Sequence, residues 1–385
     1  MDMLGIDIGT VSVKYVRVKG KKGIGDILSR GDYQYKGDFE DLGRILEDIK
    51  TKEGTALDVA IGLTSQEITK RNFTIPILPK EEIKEAMNWS ASKLVSTPLE
   101  EMVYEFTMLG EIEERGIRRE DVLFSGVQRS YVDRLLSVFE NAGYERITLL
   151  TDIGFIYIHT VEEKADGSVA VVDIGGRQTG IYIIDEKKMK SVREIMTASE
   201  SFTDALMSGL GLNYNEADQY KREKGFDERS TEILSVPLDR LAGEVQRTFN
   251  VYSQKNPERP VAKVCIAGRS ARIPNLMENI RKFLAEETDY LALPHNVDDE
   301  YLPAYILCTK REQLVNLLPV EIRQKEKEQL YKKWVRTGTV GIIALLIIFS
   351  MNVWSDLHKT RFYIDSQKKS ISTKREQLKM MSGTF

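Results

Sequence analysis

Two stretches of one design, about 166 residues apart, set the terms on which this chain can fold. In the first, residues 3–18, apolar Leu4, Ile6 and Ile8 lead into Asp7, Gly9 and Thr10. Val11, Val13 and Val16 then continue in strand-favouring chemistry. In the second, residues 168–185, an apolar strand ends in Asp173, Gly175, Gly176 and Thr179 follow, and a second apolar strand covers 180–184. Each reads as strand, tight turn, strand. Glycine at such a turn permits close approach and positive φ, so backbone N–H groups can face an anion. One such turn is also satisfied by an ordinary surface hairpin. Two of them suggest related lobes facing one polyphosphate, each lobe offering a carboxylate that can hold a metal ion through water.

With 385 residues the chain can build two or more cores. The net charge is −4, and no basic patch interleaves with aromatics, which argues against a nucleic-acid partner. Cys265 and Cys308 sit far apart in apolar contexts and read as reduced core residues. His159, His295 and His358 lack metal-ligand spacing. The first residues read as strand and not as a leader. Residues 337–355 carry no charge over nineteen positions, enough to cross a bilayer. Trp334 and Trp354 bracket that run, and Lys325, Lys327, Lys332, Lys333 and Arg336 crowd its amino-terminal side. The positive-inside rule then puts the large amino-terminal part in the cytoplasm and the short tail outside. The alternative is a buried core helix.

Between these landmarks, periodicity predicts a surface helix over 41–52, a turn at 21–25 and strands over 58–63 and 67–73. At Ile75 the character changes. Pro76 and Pro79 precede a helix with Glu81 and Glu82 in its first turn, strands follow over 102–109 and 121–127 with a charged hairpin between them, and a helix over 131–141 ends at Gly143. This is an α+β insertion over 75–146. Trp89 is expected in its core, or else on a face that receives a partner. Asp152 precedes an apolar run, 153–159, where it suits a helix N-cap. Helices are expected over 201–209, 215–224, 277–286 and 298–310, and a buried strand over 261–267.

The motifs Asp7-x-Gly9-Thr10 and Asp173-x-Gly175-Gly176-x-x-Thr179 resemble the two phosphate loops of the actin, heat-shock chaperone and sugar-kinase superfamily. Residues 71–89, RNFTIPILPKEEIKEAMNW, with Thr97-Pro98-Leu99-Glu100-Glu101, are similar to the type IV pilus family PilM in particular, a likeness running over 1–311. The cell-division protein FtsA carries a comparable insertion. The resemblance implies an α/β, actin-like (ribonuclease H-type) two-lobe ATPase fold with a small α+β insertion, followed by one transmembrane helix. It implies ATP with Mg as cofactors. Asp7 and Asp173 would position Mg through water, while Gly9, Thr10, Gly175, Gly176 and Thr179 would hold phosphates. Glu216 and Lys221 match the positions that approach ribose and base, their alternative being a solvated helix face. Gly268, Arg269 and Ser270 match the adenosine loop, where further glycines are usual; Arg269 could instead stack on the base. In the superfamily a polar residue near Asp152 can orient the attacking water.

Val315, Asn316, Leu317, Leu318 and Pro319 resemble the peptide with which PilN binds PilM. The chain thus looks like PilM fused to the head of PilN: a docking peptide and basic linker over 312–336, the span over 337–355 and an outer helical tail over 356–385. The overall design resembles GspL of type II secretion. The peptide is expected to pack in a groove on the first lobe or the insertion, a solvated linker being the alternative. Leu357, Ile364, Ile371 and Leu378 recur every seven residues, one stripe of a heptad. PilN-like proteins continue into a folded periplasmic domain, which either a longer chain or a partner is expected to supply. The function implied is a single-pass inner-membrane scaffold of a pilus or secretion machine. Its implied partners are PilN- or PilO-like proteins, an assembly ATPase or platform protein, and further copies of itself. An FtsA-like filament-forming tether, or an ATPase or kinase with real turnover, are the competing classes. The resemblance implies nucleotide binding, with ATP hydrolysis weak or absent.

Overall fold

The computed structural model describes residues 2–21, 24–54, 57–64, 67–114, 116–162 and 166–382. The chain divides into two units, Met1–Pro319 and Val320–Phe385. The first unit opens with strands β1 (Asp2–Ile8), β2 (Ser12–Lys21), β3 (Ile24–Gln34) and β4 (Asp58–Leu63). An insertion carries β5 (Ile68–Pro76), β6 (Met102–Glu114) and β7 (Ile117–Gln128), and β8 (Ile147–Asp152) returns to the first sheet. Then come β9 (Ser168–Ile174), β10 (Thr179–Asp185), β11 (Lys188–Ile195), β12 (Val261–Ala267) and β13 (Glu287–Tyr290).

The two main sheets have one plan. Their orders are β3-β2-β1-β4-β8 and β11-β10-β9-β12-β13. In each, three antiparallel strands meander and two further strands join in parallel. Parallel pairing requires crossovers that cover the faces, which is why β1, β4 and β9 are apolar almost throughout. Helix Phe39–Glu53 covers the first sheet with Leu42, Ile45, Leu46 and Ile49, all at most 1% exposed and spaced for one helical face. Asp38 caps it by accepting from the Asp41 N–H, and Gly54 at φ +77° ends it. One continuous core joins residues of both sheets, among them Val16, Leu149, Val171 and Cys265, with Tyr305 and Ile306 of helix Leu302–Thr309. That helix crosses β1 so closely that a Cβ on Gly5 would lie 2.0 Å from the Ala304 carbonyl oxygen. The result is the actin-like, two-lobe ATPase fold.

The insertion is a three-stranded antiparallel sheet, β5-β7-β6, with helix Lys80–Ser92 beside it. Its strands β6 and β7 pair through the charged stretch expected as a hairpin, where cross-strand contacts such as Glu111–Arg118 help keep both strands in register. Trp89 is not core: it is 64% exposed, and the Lys93 ammonium stacks 3.1 Å from its ring centroid. Only Ala91 of that helix is buried, so the helix lies shallowly. Beyond β12, the helix expected over 277–286 stops at Ile280, and 287–290 form the parallel edge strand β13. The helix expected over 298–310 starts as a short 3-10 turn, Asp299–Tyr301, and becomes regular only from Leu302, where Pro303 suits a first turn. Cys265 and Cys308 are free thiols, the first buried and the second partly so. Burial pushes the Cys308 thiol up to about 12.

The second unit is one helix, Val320–Ser382. Its stretch Gly341–Leu378 contains a window of mean hydropathy 1.5, none of it buried, long and apolar enough to cross a membrane. Leu357, Ile364, Ile371 and Leu378 are exposed along it. The side chains of Lys325, Lys327, Lys332, Lys333, Trp334, Arg336 and Met381 lie outside the described ones, as do Lys22 and Gly23 of the turn expected at 21–25.

Candidate functional site

The turns that follow β1 and β9 close in the same way. The Gly9 N–H donates to the Ser12 carbonyl at 2.9 Å and the Gly175 N–H to the Gln178 carbonyl at 3.1 Å. A Cβ on either glycine would crowd that same carbonyl, at 3.0 and 2.7 Å. The two turns also touch. A Cβ on Gly176 would lie 2.4 Å from a Val11 methyl, and the Arg177 N–H donates to the Thr10 hydroxyl at 3.4 Å. Between the sheets at this point lies a cavity of about 570 Å³.

Asp7, Gly9 and Thr10 line it from one side, and Asp173, Gly175 and Gly176 from the other. Gly268, Arg269 and Ser270 reach it from the loop after β12. Gly268 has φ +85°, and a Cβ there would sit 2.3 Å from an Asp173 carboxylate oxygen, so only glycine lets this loop come so near. The Ser270 hydroxyl donates to the Gly175 carbonyl at 3.5 Å. Arg269 does not lie free for stacking: it pairs with Asp32 of β3 at 2.8 Å, from the opposite lobe, and with Glu300 at 3.6 Å.

The carboxylates dominate the electrostatics. Asp7 is 6% exposed, and its Oδ1 has no hydrogen-bond partner among the described residues. Burial pushes its carboxyl up to about 6, with a further rise from the Asp173 and Asp32 charges and relief from Lys14. Burial also raises Asp173, against a hydrogen bond from the Tyr157 hydroxyl and the Lys14 charge. Lys14 is the residue that motif matching missed. It stands opposite Asp7 in the β1–β2 register, lines the cavity and acts on both acids. Counting outward from the turn pairs position 7 with 14, so the signal was present. Two acids around an unpartnered buried oxygen suit a hard cation that keeps most of its water. No group of three or more metal-ligating side chains occurs among the described residues, so such an ion would also need a ligand's oxygens.

Thr179 and Glu216 do not line the cavity. Thr179 is fully buried and its hydroxyl donates to the Thr197 carbonyl at 2.8 Å, bracing the start of helix Ser199–Leu210. Glu216 closes a capping box with Asn213 at the start of helix Tyr214–Glu223. The face of that helix turned to the cavity carries Asp218, Lys221 and Arg222, spaced i, i+3, i+4. Lys221 is nearly buried, and its ammonium contacts Thr203 Oγ1 at 2.7 Å, Asp218 at 2.8 Å and the Ser199 carbonyl at 3.4 Å. Desolvation lowers its pKa. Asp152 also lies outside the cavity lining. It caps the 3-10 helix Ile153–His159 through the Gly154 N–H and pairs with Lys70 at 2.5 Å.

Residues 315–319 run along β8. The Leu317 N–H donates to the Leu150 carbonyl at 2.6 Å. The Asn316 amide donates to the Thr148 carbonyl at 3.3 Å, and its oxygen accepts from the N–H groups of Leu150 and Leu318. Leu317 and Leu318 are fully buried, Pro319 is buried, and Val315 packs on the central core.

The model for the family "Type IV pilus assembly protein PilM" matches residues 5–298. Among solved structures, a PilM-PilN type IV pilus biogenesis complex shares the fold at a TM-score of 0.66, with 19% identity over 82% of this chain and 99% of that one. The cell division protein FtsA of Enterococcus faecalis is 23% identical over 328 residues, 76% of this chain and 72% of that protein. A family match over most of the chain, together with the shared fold, makes this protein a member of the type IV pilus assembly PilM family.

Proposed function

We propose that this PilM-family protein binds ATP with Mg between its lobes and serves as an inner-membrane scaffold of a type IV pilus or related secretion machine. One observation carries the nucleotide part: two matched glycine turns meet at a cavity lined by Asp173 and by a buried Asp7 whose Oδ1 has no hydrogen-bond partner among the described residues. Magnesium, when bound, would neutralise phosphate charge there. Asp7 and Asp173 would orient its waters, Lys14 would meet phosphate, and the Gly9, Thr10, Gly175 and Gly176 backbone would face the chain of phosphates. Gly268, Arg269 and Ser270 would border the adenosine. Lys221 has its donors occupied, so it would shape this end of the cleft through Asp218 instead of reaching the ligand. Asp152, tied to Lys70, is not offered as a base.

For the membrane part, the helix Val320–Ser382 holds the apolar stretch, and residues 315–319 join it to the first unit. One solved structure that shares the fold is a PilM-PilN type IV pilus biogenesis complex. We read 315–319 as a PilN-like peptide supplied by the chain itself, a tether that turns docking into an intramolecular event at about millimolar effective concentration. PilO-like proteins, an assembly ATPase or a platform protein would be the further partners.

The nucleotide assignment is tested with Asp173→Ala in the full chain. Titration calorimetry should show at least tenfold weaker binding of Mg·ATP while the circular dichroism spectrum is kept. Equal affinity would sink it.

A further inference from the structure

A second cluster of charges lies outside the lining of the cleft, and the function above does not use it. Lys70 of β5 is 10% exposed and holds Asp152 at 2.5 Å and Glu194 of β11. Its three groups come from three bodies: the insertion sheet, the end of the first lobe's last parallel strand, and the edge of the second lobe's sheet. A buried lysine held between two acids is costly to disturb, since losing either partner leaves an uncompensated charge.

The cluster is connected to Asp173 through the second sheet. Asp173, Gly180 and Glu194 form one rung across β9, β10 and β11. Gly180 leaves the middle of that rung empty, and the Tyr182 hydroxyl fills it: a Cβ on Gly180 would lie 2.3 Å from that oxygen. Tyr182 also presses on Gly154 of the first lobe, where a Cβ would lie 2.2 Å from the ring. Its ring sits 5.2 Å from that of Tyr157, whose hydroxyl bonds Asp173. Asp173 and the tyrosine pair line the cavity wall, and the rung through Gly180 carries that wall to Glu194 of the Lys70 cluster, so side chains packed on one strand rung link the two sites.

We propose that Lys70 is the positioning residue through which occupancy of the cleft is transmitted to the insertion sheet, by redistributing its ammonium between Asp152 on one lobe and Glu194 on the other. The inference rests on the nucleotide reading above and adds its readout. A bound ligand that displaced Asp173 would loosen the bond from Tyr157, and Tyr182, tilted against that ring, would follow. Glu194 and Asp152 then move apart or together with the lobes. Lys70 cannot leave both, so β5 moves with whichever it keeps. Such a shift needs a ligand that favours one lobe angle over the other.

The test uses the full chain in lipid nanodiscs, with Mg and a non-hydrolysable ATP analogue, read by amide hydrogen exchange over β5, β6 and β7 and by calorimetry. In the parent, ligand should change exchange in these strands, which do not line the cleft. Lys70→Met should keep affinity within about threefold and lose that change, and Lys70→Arg should restore it. Tyr182→Phe, which keeps the ring and removes only the hydroxyl, gives the same decision if Lys70→Met fails to fold. A full insertion response in either variant overturns the coupling and leaves nucleotide binding standing. No binding by the parent overturns both.

Discussion

Asp7 is held in the folded chain with a carboxyl that titrates near 6, against about 4 when unfolded. The folded state therefore holds this proton more tightly. The stability it contributes is full below about pH 4 and is lost as the pH rises through about 6. Asp7→Asn removes that loss. The metal-free variant should be more stable than the parent above pH 7, by about 1–3 kcal/mol, and equal to it near pH 4. Denaturant titrations at both values check this. Gly268 invites a second substitution. Gly268→Ala combines a left-handed backbone with a clash on Asp173 and should cost about 1–3 kcal/mol or more. Gly37→Ala, at φ +94° with nothing within 4 Å, should cost only the backbone part. Equal losses would show that approach to Asp173 is not what fixes position 268. Lys14 and Lys221 show why motifs alone misplace ligand contacts. A motif names a residue, but a charged side chain goes to whichever counter-charge the fold sets nearby.

Among the elements, the segment 315–319 draws the sharpest expectation. It has no regular secondary structure, yet Asn316 bonds β8 on both its amide atoms and two leucines are fully buried. Leu317→Ala should destabilise the first unit by about 2–5 kcal/mol. Leu317→Asp with Leu318→Asp should expose 312–320 to rapid proteolysis; unaltered resistance would count against docking. The opposite holds for helix Lys80–Ser92. Trp89→Ala should change stability by less than about 0.5 kcal/mol, since the ring is mostly solvated. A large apolar ring in a small insertion is expected in its core, or else on a face that receives a partner. The helix instead lies shallowly on its sheet, and that could be known only from the packing.

For the molecule as a whole, the apolar stretch within Gly341–Leu378 is expected to hold the chain in the membrane through a carbonate wash, and deletion of 337–355 to release it. Recovery of the parent in the soluble fraction would remove the scaffold function. The likeness between the two main sheets also belongs here. Each builds one carboxylate, one glycine turn and two crossovers, so a cleft with a charged residue on either wall follows from repeating a single plan.

Local chemistry was enough to specify the paired turns, most strands of both lobes, the α+β insertion and the long apolar helix. These depend on alternation, glycine and length, which are properties of neighbours along the chain. Tertiary structure decided the rest. Arg269 turned to Asp32 and Lys221 to Thr203, Thr179 became a brace, and Lys70, unremarkable in sequence, became the buried cation where three bodies meet. Burial makes a charge seek the nearest opposite charge, and partners 82 or 124 positions away in the chain cannot be chosen until the sheets have come together.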